Sequence, residues 1–214
     1  MKARYIAIEG PIGVGKTSLA QRLARKLDAR LVLEDAGNPF LEDFYRDKAG
    51  AAFQAQLWFL LQRHRQLRAL EQEDLFQQLT LVDFIFAKDK IFAYLNLDDS
   101  ELLIYDKLFA VLESELRKPD LVIYLQAGGD VLLERIRRRH RDVETRISEA
   151  YLAEVNKAFN YYFFHFDEAP LLVIDTSQID FVREESDLDD LVQRVQGMDR
   201  GGVQYYRPLG SQPA

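Results

Sequence analysis

The sequence has no cysteine, few glycine and proline residues, and no long apolar run. Its 214 residues include 11 glycines and 6 prolines. The absence of cysteine excludes disulfide scaffolds, thiolate metal centres and cysteine nucleophiles. The scarcity of glycine and proline leaves little room for linkers or low-complexity segments. Because no apolar run approaches the ~18 residues that cross a bilayer, we expect no association with a membrane.

The charge balance excludes a protein that coats nucleic acid through a global positive charge. The chain has 35 acidic and 28 basic residues, which gives a net charge of −7. Its three histidines lack the close spacing of a zinc site such as HExxH. The first residues lead directly into a short apolar run and lack the pattern of a signal peptide. We therefore expect a cytoplasmic protein with no nucleic-acid partner.

Strand and helix patterns alternate along the chain. Amphipathic helical patterns separate short apolar runs of the kind that form buried parallel strands. These runs begin at Tyr5, Leu31, Leu79, Leu121 and Leu171. The alternation predicts an α/β fold with a five-stranded parallel sheet flanked by helices, in a single domain over residues 1–198 with a flexible tail at 199–214. In such sheets, ligands bind beyond the carboxyl ends of the strands.

A phosphate-binding motif follows the first predicted strand. The segment Gly10-Pro11-Ile12-Gly13-Val14-Gly15-Lys16-Thr17 matches GxxxxGK[ST] and precedes an amphipathic helix. Glycine has no Cβ, so backbone N–H groups can approach phosphate oxygens, and the helix N-terminus favours negative charge. We expect Lys16 to reach the β- and γ-phosphates and Thr17 to help hold Mg²⁺. The motif predicts binding of ATP or a similar triphosphate but does not define the reaction.

Two further features concern what is done with the triphosphate. Asp83 follows the third predicted strand, where a carboxylate can reach a metal ion or a reacting hydroxyl. Five of the seven residues from Arg135 to Arg141 are arginine, and arginine pairs bidentately with phosphate. These arginines predict a lid, at about residues 137–148, that closes over the phosphates. Arg135, Arg139 and Arg141 are the expected phosphate contacts, and Arg139 is the expected catalytic one.

The ordered set of motifs resembles the deoxynucleoside kinases, particularly the bacterial deoxyadenosine, deoxyguanosine and deoxycytidine kinases. The resemblance extends over about residues 4–185. Besides the phosphate loop and the lid, the matching segments are Asn38-Pro39-Phe40-Leu41, Phe53-Gln54-Ala55-Gln56, Lys88-Asp89-Lys90-Ile91-Phe92-Ala93 and Tyr151-Leu152. It implies transfer of the ATP γ-phosphate to the 5′-hydroxyl of a 2′-deoxyribonucleoside, either a purine deoxynucleoside or deoxycytidine, in nucleotide salvage. It also implies a P-loop NTPase three-layer sandwich with strand order 2-3-1-4-5, and a homodimer.

The resemblance implies a role for each of two carboxylates. Glu34 corresponds to the group that accepts the proton of the 5′-hydroxyl, and Asp83 to an acid near Mg²⁺ and the same hydroxyl. Either could act as the general base. The neighbouring Asp35 competes with Glu34, because the segment after the second strand is one residue shorter than in the family.

The resemblance also implies the groups that bind the two substrates. The residues implied to bind the nucleoside are Glu34, Tyr45, Gln56, Arg63, Lys88, Asp89 and Glu149, and those implied to contact the adenine of ATP are Asp180 and Phe181. Gln56 and Arg63 are seven residues apart and therefore share one helix face. Phe84-Ile85 stands where the family has Arg-Ser, so Lys88 is expected to supply the missing charge. The resemblance implies an acidic residue directly before Tyr151-Leu152. Ala150 stands at that position, and Glu149 is one residue earlier.

Two other functions remain open at the level of sequence. A nucleoside monophosphate kinase of the thymidylate type has the same fold and lid, and Arg63 and Lys88 could bind its acceptor phosphate. A non-catalytic nucleotide-binding subunit is an alternative of a different class, because a fold can persist without its activity.

Overall fold

Six parallel strands form the centre of the molecule. The computed structural model describes residues 3–73, 79–139, 147–177, 185–198 and 201–207. The strands are β1 Tyr5–Glu9, β2 Arg30–Val32, β3 Thr80–Val82, β4 Leu121–Gln126, β5 Leu171–Asp175 and β6 Val203–Tyr206. They are arranged in the order β2-β3-β1-β4-β5-β6, and each neighbouring pair is parallel.

Helices cover both faces of this sheet. They are α1 Lys16–Leu27, α2 Leu41–Tyr45, α3 Ala51–Glu73, α4 Lys88–Asn96, α5 Asp99–Glu113, α6 Gly129–Arg139, α7 Glu149–Phe164 and α8 Glu185–Gly197. Side chains alternate along each strand, so Ile6 and Ile8 pack with α1, α6 and α8, whereas Ala7 packs with α4 and α7. Within the described part of the chain, no helix combines the length and the apolar character needed to cross a membrane.

The sixth strand corrects the prediction of a five-stranded sheet. The order of the first five strands is as predicted, but β6 adds to the edge of the sheet beside β5. It lies within the segment that was expected to be a flexible tail. Tyr206 is buried, its hydroxyl donates a hydrogen bond to Asp190, and the guanidinium of Arg194 lies 4.8 Å from its ring centroid. Two side chains of α8 therefore hold β6, and such long-range contacts leave no local pattern in the sequence.

Strand pairing brings the carboxyl ends of β2, β3 and β1 side by side. Val82 of β3 is paired with Val32 of β2 on one side and with Ala7 of β1 on the other. Glu9 is the last residue of β1, Asp83 directly follows β3, and Glu34 lies two residues beyond the end of β2. Parallel pairing thus places three carboxylates at one edge of the sheet, next to the loop that precedes α1.

Candidate active site

The loop between β1 and α1 has the backbone geometry of a phosphate-binding loop. Gly13 has φ +84°, and a Cβ at this position would lie 2.8 Å from the carbonyl oxygen of Leu132. Glycine is therefore required there by both conformation and space. Lys16 Nζ donates to the carbonyl oxygens of Gly10 and Pro11 at 2.6 and 3.2 Å, so the lysine folds back across the loop. Burial lowers the pKa of Lys16.

Asp83 joins the start of α1 to the end of β2. The hydroxyl of Thr17 donates to Asp83 Oδ2 at 2.7 Å, and the backbone N–H of Glu34 donates to Asp83 Oδ1 at 2.6 Å. Among the described residues, no cluster of three or more histidine, aspartate and glutamate side chains could hold a metal ion. Mg²⁺ at nucleotide sites usually takes only one or two protein ligands, because phosphates and water supply the rest. Thr17 and Asp83 fit this kind of site.

Glu34 lies between two cationic side chains. Its Oε1 accepts a hydrogen bond from Arg63 Nε at 2.7 Å, and its Oε2 accepts one from Lys88 Nζ at 2.6 Å. Burial alone would raise the pKa of Glu34, but Lys88 and Arg63 lower it to about 2. The side chain is therefore a carboxylate at neutral pH. Lys88, at the start of α4, supplies a positive charge at this site, although it does not follow β3 directly as the family's arginine does.

Glu34 and the adjacent Asp35 lie in different surroundings. The Oδ2 atom of Asp35 accepts a hydrogen bond from Gln62 Nε2 at 2.8 Å, and its Oδ1 atom accepts one from the backbone N–H of Gly37 at 2.9 Å. These bonds lie at the protein surface. Asp35 thus stabilises the loop after β2, whereas the carboxylate of Glu34 points into the site.

Glu9 is a buried member of the site to which the sequence analysis assigned no role. Its two carboxylate oxygens accept hydrogen bonds from the backbone N–H groups of Gly10 and Ile85 at 2.9 and 3.1 Å. The ammonium groups of Lys16 and Lys88 each lie 3.8 Å from it. Burial raises the pKa of Glu9, and the two lysines oppose that shift. The sequence did contain a signal for this residue, because Glu9 ends an apolar strand directly before the phosphate loop.

A second polar cluster lies between α3, α4 and α5. Asp89 accepts hydrogen bonds from Gln56, from Arg63 Nη1 and, at 2.9 Å, from the hydroxyl of Tyr105. All four side chains are buried, and burial raises the pKa of Asp89. The seven-residue spacing correctly placed Gln56 and Arg63 on one face of α3. Tyr105 was missed, because a tyrosine among the apolar residues of α5 gives no separate signal.

Arg135 connects the phosphate loop to the end of β5. Its guanidinium donates to the carbonyl oxygen of Val14 at 3.1 Å, to Thr176 Oγ1 at 2.9 Å and to the carbonyl oxygen of Thr176 at 2.7 Å. These bonds give it a role in holding the loop that the sequence did not predict. Its contact with ATP stays a prediction.

Two further predicted substrate contacts lie on α2 and α7, and the rest lie outside the described residues. Tyr45 is half-buried at the end of α2, with its ring centroid 5.1 Å from that of Phe44. Glu149 is exposed and accepts a hydrogen bond from Arg137 at 3.1 Å. The predicted contacts that lie outside the description are Arg141, Asp180, Phe181 and the side chain of Arg139, together with residues 140–146 of the lid.

Comparisons with known proteins agree with this architecture. The family model described as deoxynucleoside kinase matches residues 6–198. The chain is 34% identical over 199 residues to the deoxyguanosine kinase of Bacillus subtilis (strain 168), an alignment that covers 90% of this chain and 96% of that protein. It is 36% identical over 167 residues to the deoxyadenosine kinase of Dictyostelium discoideum, covering 75% and 66% of the two chains. A solved structure of deoxyadenosine kinase from M. mycoides, with dCMP and dCDP bound, aligns with a TM-score of 0.77 at 25% identity and covers 90% of this chain and 99% of that one. The chain belongs to the deoxynucleoside kinase family.

Proposed function

We propose that this kinase transfers the γ-phosphate of ATP to the 5′-hydroxyl of a 2′-deoxyribonucleoside, with Glu34 as the group that receives the hydroxyl proton. The observation that carries this assignment is the position of Asp83. Its carboxylate binds Thr17 of the phosphate loop on one side and the backbone of Glu34 on the other. The donor site and the acceptor site therefore meet at one side chain.

Each group at this meeting point supports a separate part of the transfer. Lys16 would bind the β- and γ-phosphates, and Thr17 and Asp83 would hold Mg²⁺, which neutralises charge on the phosphates. Glu34 would orient the 5′-hydroxyl for in-line attack and take its proton. Because phosphoryl transfer passes through a loose transition state, positioning and electrostatic stabilisation supply most of the catalysis. Lys88 would add positive charge beside the transferring group.

Glu34 is a better candidate for the general base than Asp83. Asp83 bonds to the Thr17 hydroxyl of the phosphate loop, which suits a metal ligand. The Glu34 carboxylate bonds to Arg63, which also bonds to Asp89, and it lies near the end of the strand where an acceptor would bind.

We infer that the second polar cluster, between α3, α4 and α5, reads the nucleobase. Gln56, Arg63 and Asp89 together offer amide, guanidinium and carboxylate groups, which can bond to both donors and acceptors on the edge of a base. A purine is the proposed base because the Bacillus subtilis relative is a deoxyguanosine kinase and the Dictyostelium discoideum relative is a deoxyadenosine kinase. Tyr45 is the proposed partner of the sugar 3′-hydroxyl, and Glu149 the proposed second sugar contact.

The same contacts argue against an acceptor that carries a phosphate. Arg63 and Lys88, which would have to bind that phosphate, are both paired with carboxylates. A monophosphate would therefore meet Glu34 and Asp89 as well as the cations, whereas a neutral hydroxyl meets no such repulsion.

We also infer a homodimer formed through α4 and α7. These helices pack against each other, and large apolar side chains on them face solvent: Tyr94 is 60% exposed, Tyr161 70% and Phe164 77%. A second copy of the chain would bury this surface.

The direct test is turnover of the purified protein with ATP and Mg²⁺. Each of the four natural deoxynucleosides, and thymidine monophosphate, is supplied in turn, and the products are separated chromatographically. We expect a 5′-monophosphate from at least one purine deoxynucleoside and no diphosphate from thymidine monophosphate. Absence of turnover with every deoxynucleoside would refute the proposal and favour a non-catalytic subunit.

A further inference from the structure

One guanidinium group connects the two halves of the acceptor site. Arg63 donates from Nε to Glu34 Oε1 at 2.7 Å and from Nη1 to the carboxylate of Asp89. The side chain is 4% exposed, and its guanidinium carbon lies 4.8 Å from the ring centroid of Phe59. The five donors of arginine have a fixed planar geometry, so a displacement at one end of the fork is transmitted to the other.

The backbone near Glu34 is held independently of this fork. Its N–H is bonded to Asp83 at 2.6 Å, and Gln66 Nε2 donates to the carbonyl oxygen of Leu33 at 2.9 Å. Among the described contacts, the carboxylate itself is held by two side chains, Arg63 and Lys88. A movement of Arg63 would therefore change the direction of the Glu34 carboxylate and leave the strand end in place.

We propose that Arg63 is a positioning residue through which the nucleobase sets the orientation of Glu34. The inference rests on the proposed function and deepens it. A base that bonds correctly to Asp89 and Arg63 keeps the fork in place, and Glu34 then faces the 5′-hydroxyl. A wrong or absent base leaves the fork without this constraint, so the carboxylate is no longer held toward the 5′-hydroxyl. Since a misplacement of ~1 Å can cost 10²-fold in rate, the enzyme would distinguish bases in kcat as well as in KM.

The first experiment needs no substituted protein. The unsubstituted kinase is assayed at saturating methyl 2-deoxyribofuranoside, a locked furanose that has the acceptor hydroxyl but no base, and at a saturating concentration of its best deoxynucleoside. We expect kcat for the furanoside to be lower by about 10²-fold. A kcat for the furanoside close to that of the nucleoside, with only KM raised, would overturn the inference.

The second experiment separates base binding from base coupling. Arg63→Lys keeps the charge, but a single ammonium group lacks the fork that reaches both carboxylates. Gln56→Ala is the matched control, since Gln56 bonds to Asp89 but has no bond with Glu34 among the described contacts. Both variants are checked for folding by circular dichroism and thermal unfolding, and kcat and KM are measured for the best and a poor deoxynucleoside.

The two variants have different expected results. In Gln56→Ala we expect mainly a higher KM for the best nucleoside, with a smaller fall in the ratio of kcat values between the two nucleosides, because Gln56 reaches Glu34 only through Asp89 and Arg63. In Arg63→Lys we expect this kcat ratio to fall at least fivefold, mainly through slower turnover of the best nucleoside. An unchanged kcat ratio in Arg63→Lys, or an equal fall in both variants, would exclude coupling through Arg63. Failure of the proposed function is distinguishable, because the unsubstituted protein would then turn over no deoxynucleoside.

Discussion

At the scale of single residues, the site is defined by its buried carboxylates and by the cationic side chains that pair with them. Glu34 lies between Arg63 and Lys88, and Glu9 lies between Lys88 and Lys16. Acids and bases alternate in this buried row, so each charge has an opposite neighbour. Removing one carboxylate leaves its cations without compensation, and the consequence depends on whether that carboxylate contacts the acceptor or only the lysines.

Replacing Glu34 with glutamine should slow turnover without preventing binding of ATP. The amide has nearly the same shape but cannot take the proton of the 5′-hydroxyl, so we expect kcat to fall by ~10²–10⁴-fold. Steady-state kinetics measure the loss, and calorimetry with ATP shows whether binding is kept. The control is Asp35→Asn, whose side chain lies at the surface loop and which should keep most of the activity. Equal losses in the two variants would contradict the assignment.

Replacing Glu9 with glutamine should weaken both stability and ATP use. Glu9 accepts two backbone N–H bonds and faces two ammonium groups, whereas an amide nitrogen can accept no bond and has no charge. We expect a loss of about 3 kcal/mol in the free energy of unfolding and a higher KM for ATP. Denaturant unfolding and steady-state kinetics measure these changes.

The surface acid Glu185 provides a comparison for Glu9. It is paired with Arg22 and Lys26 in solvent, so Glu185→Gln should lower the free energy of unfolding much less than Glu9→Gln. If the buried and the surface substitution have the same effect, Glu9 does not hold the two lysines.

At the scale of secondary-structure elements, helix α3 and strand β6 differ in how far they could be predicted. Helix α3 lies between the second and third apolar runs, where a helix was expected, and the spacing of Gln56 and Arg63 placed both on one face of it. Strand β6 was not predicted, since its sequence is short and follows two glycines. Tyr206 docks on α8, and this contact decides whether the segment is a strand.

Replacing Tyr206 with alanine should destabilise the sheet edge and spare the site. The ring is buried, and its hydroxyl bonds to Asp190, so we expect a loss of about 3 kcal/mol in the free energy of unfolding. Denaturant unfolding measures it, and kcat should remain close to that of the unsubstituted protein. Tyr205→Ala is the matched control, because this neighbour is 72% exposed. A similar loss in both variants would mean that docking of Tyr206 does not hold β6.

At the scale of the whole molecule, helices α4 and α7 carry large apolar side chains that face solvent. Phe164 and Tyr161 on α7 and Tyr94 on α4 are mostly exposed. The net charge of −7 opposes non-specific association. These exposed apolar side chains therefore point to a specific contact.

A charge at Phe164 should dissociate the inferred dimer. Phe164→Glu would place an uncompensated carboxylate in the apolar contact, and we expect the protein to sediment as a monomer at micromolar concentration. Analytical ultracentrifugation gives the mass, and Gln193→Glu on α8, across the sheet, is the control that should remain dimeric. A monomeric unsubstituted protein would exclude the dimer, whatever the variants do.

The sequence by itself determined the alternation of strands and helices, the phosphate loop, and the acids at the strand ends. These properties follow from local rules, because apolar periodicity and motif spacing act over a few residues. The tertiary structure decided that Glu34 and not Asp35 faces inward, that Arg63 connects Glu34 with Asp89, and that Tyr105 and Glu9 complete the two clusters. It also decided that residues 203–206 form a strand. Each of these outcomes depends on contacts between segments distant in the chain, and burial and hydrogen-bond partners there are set by the packed elements together.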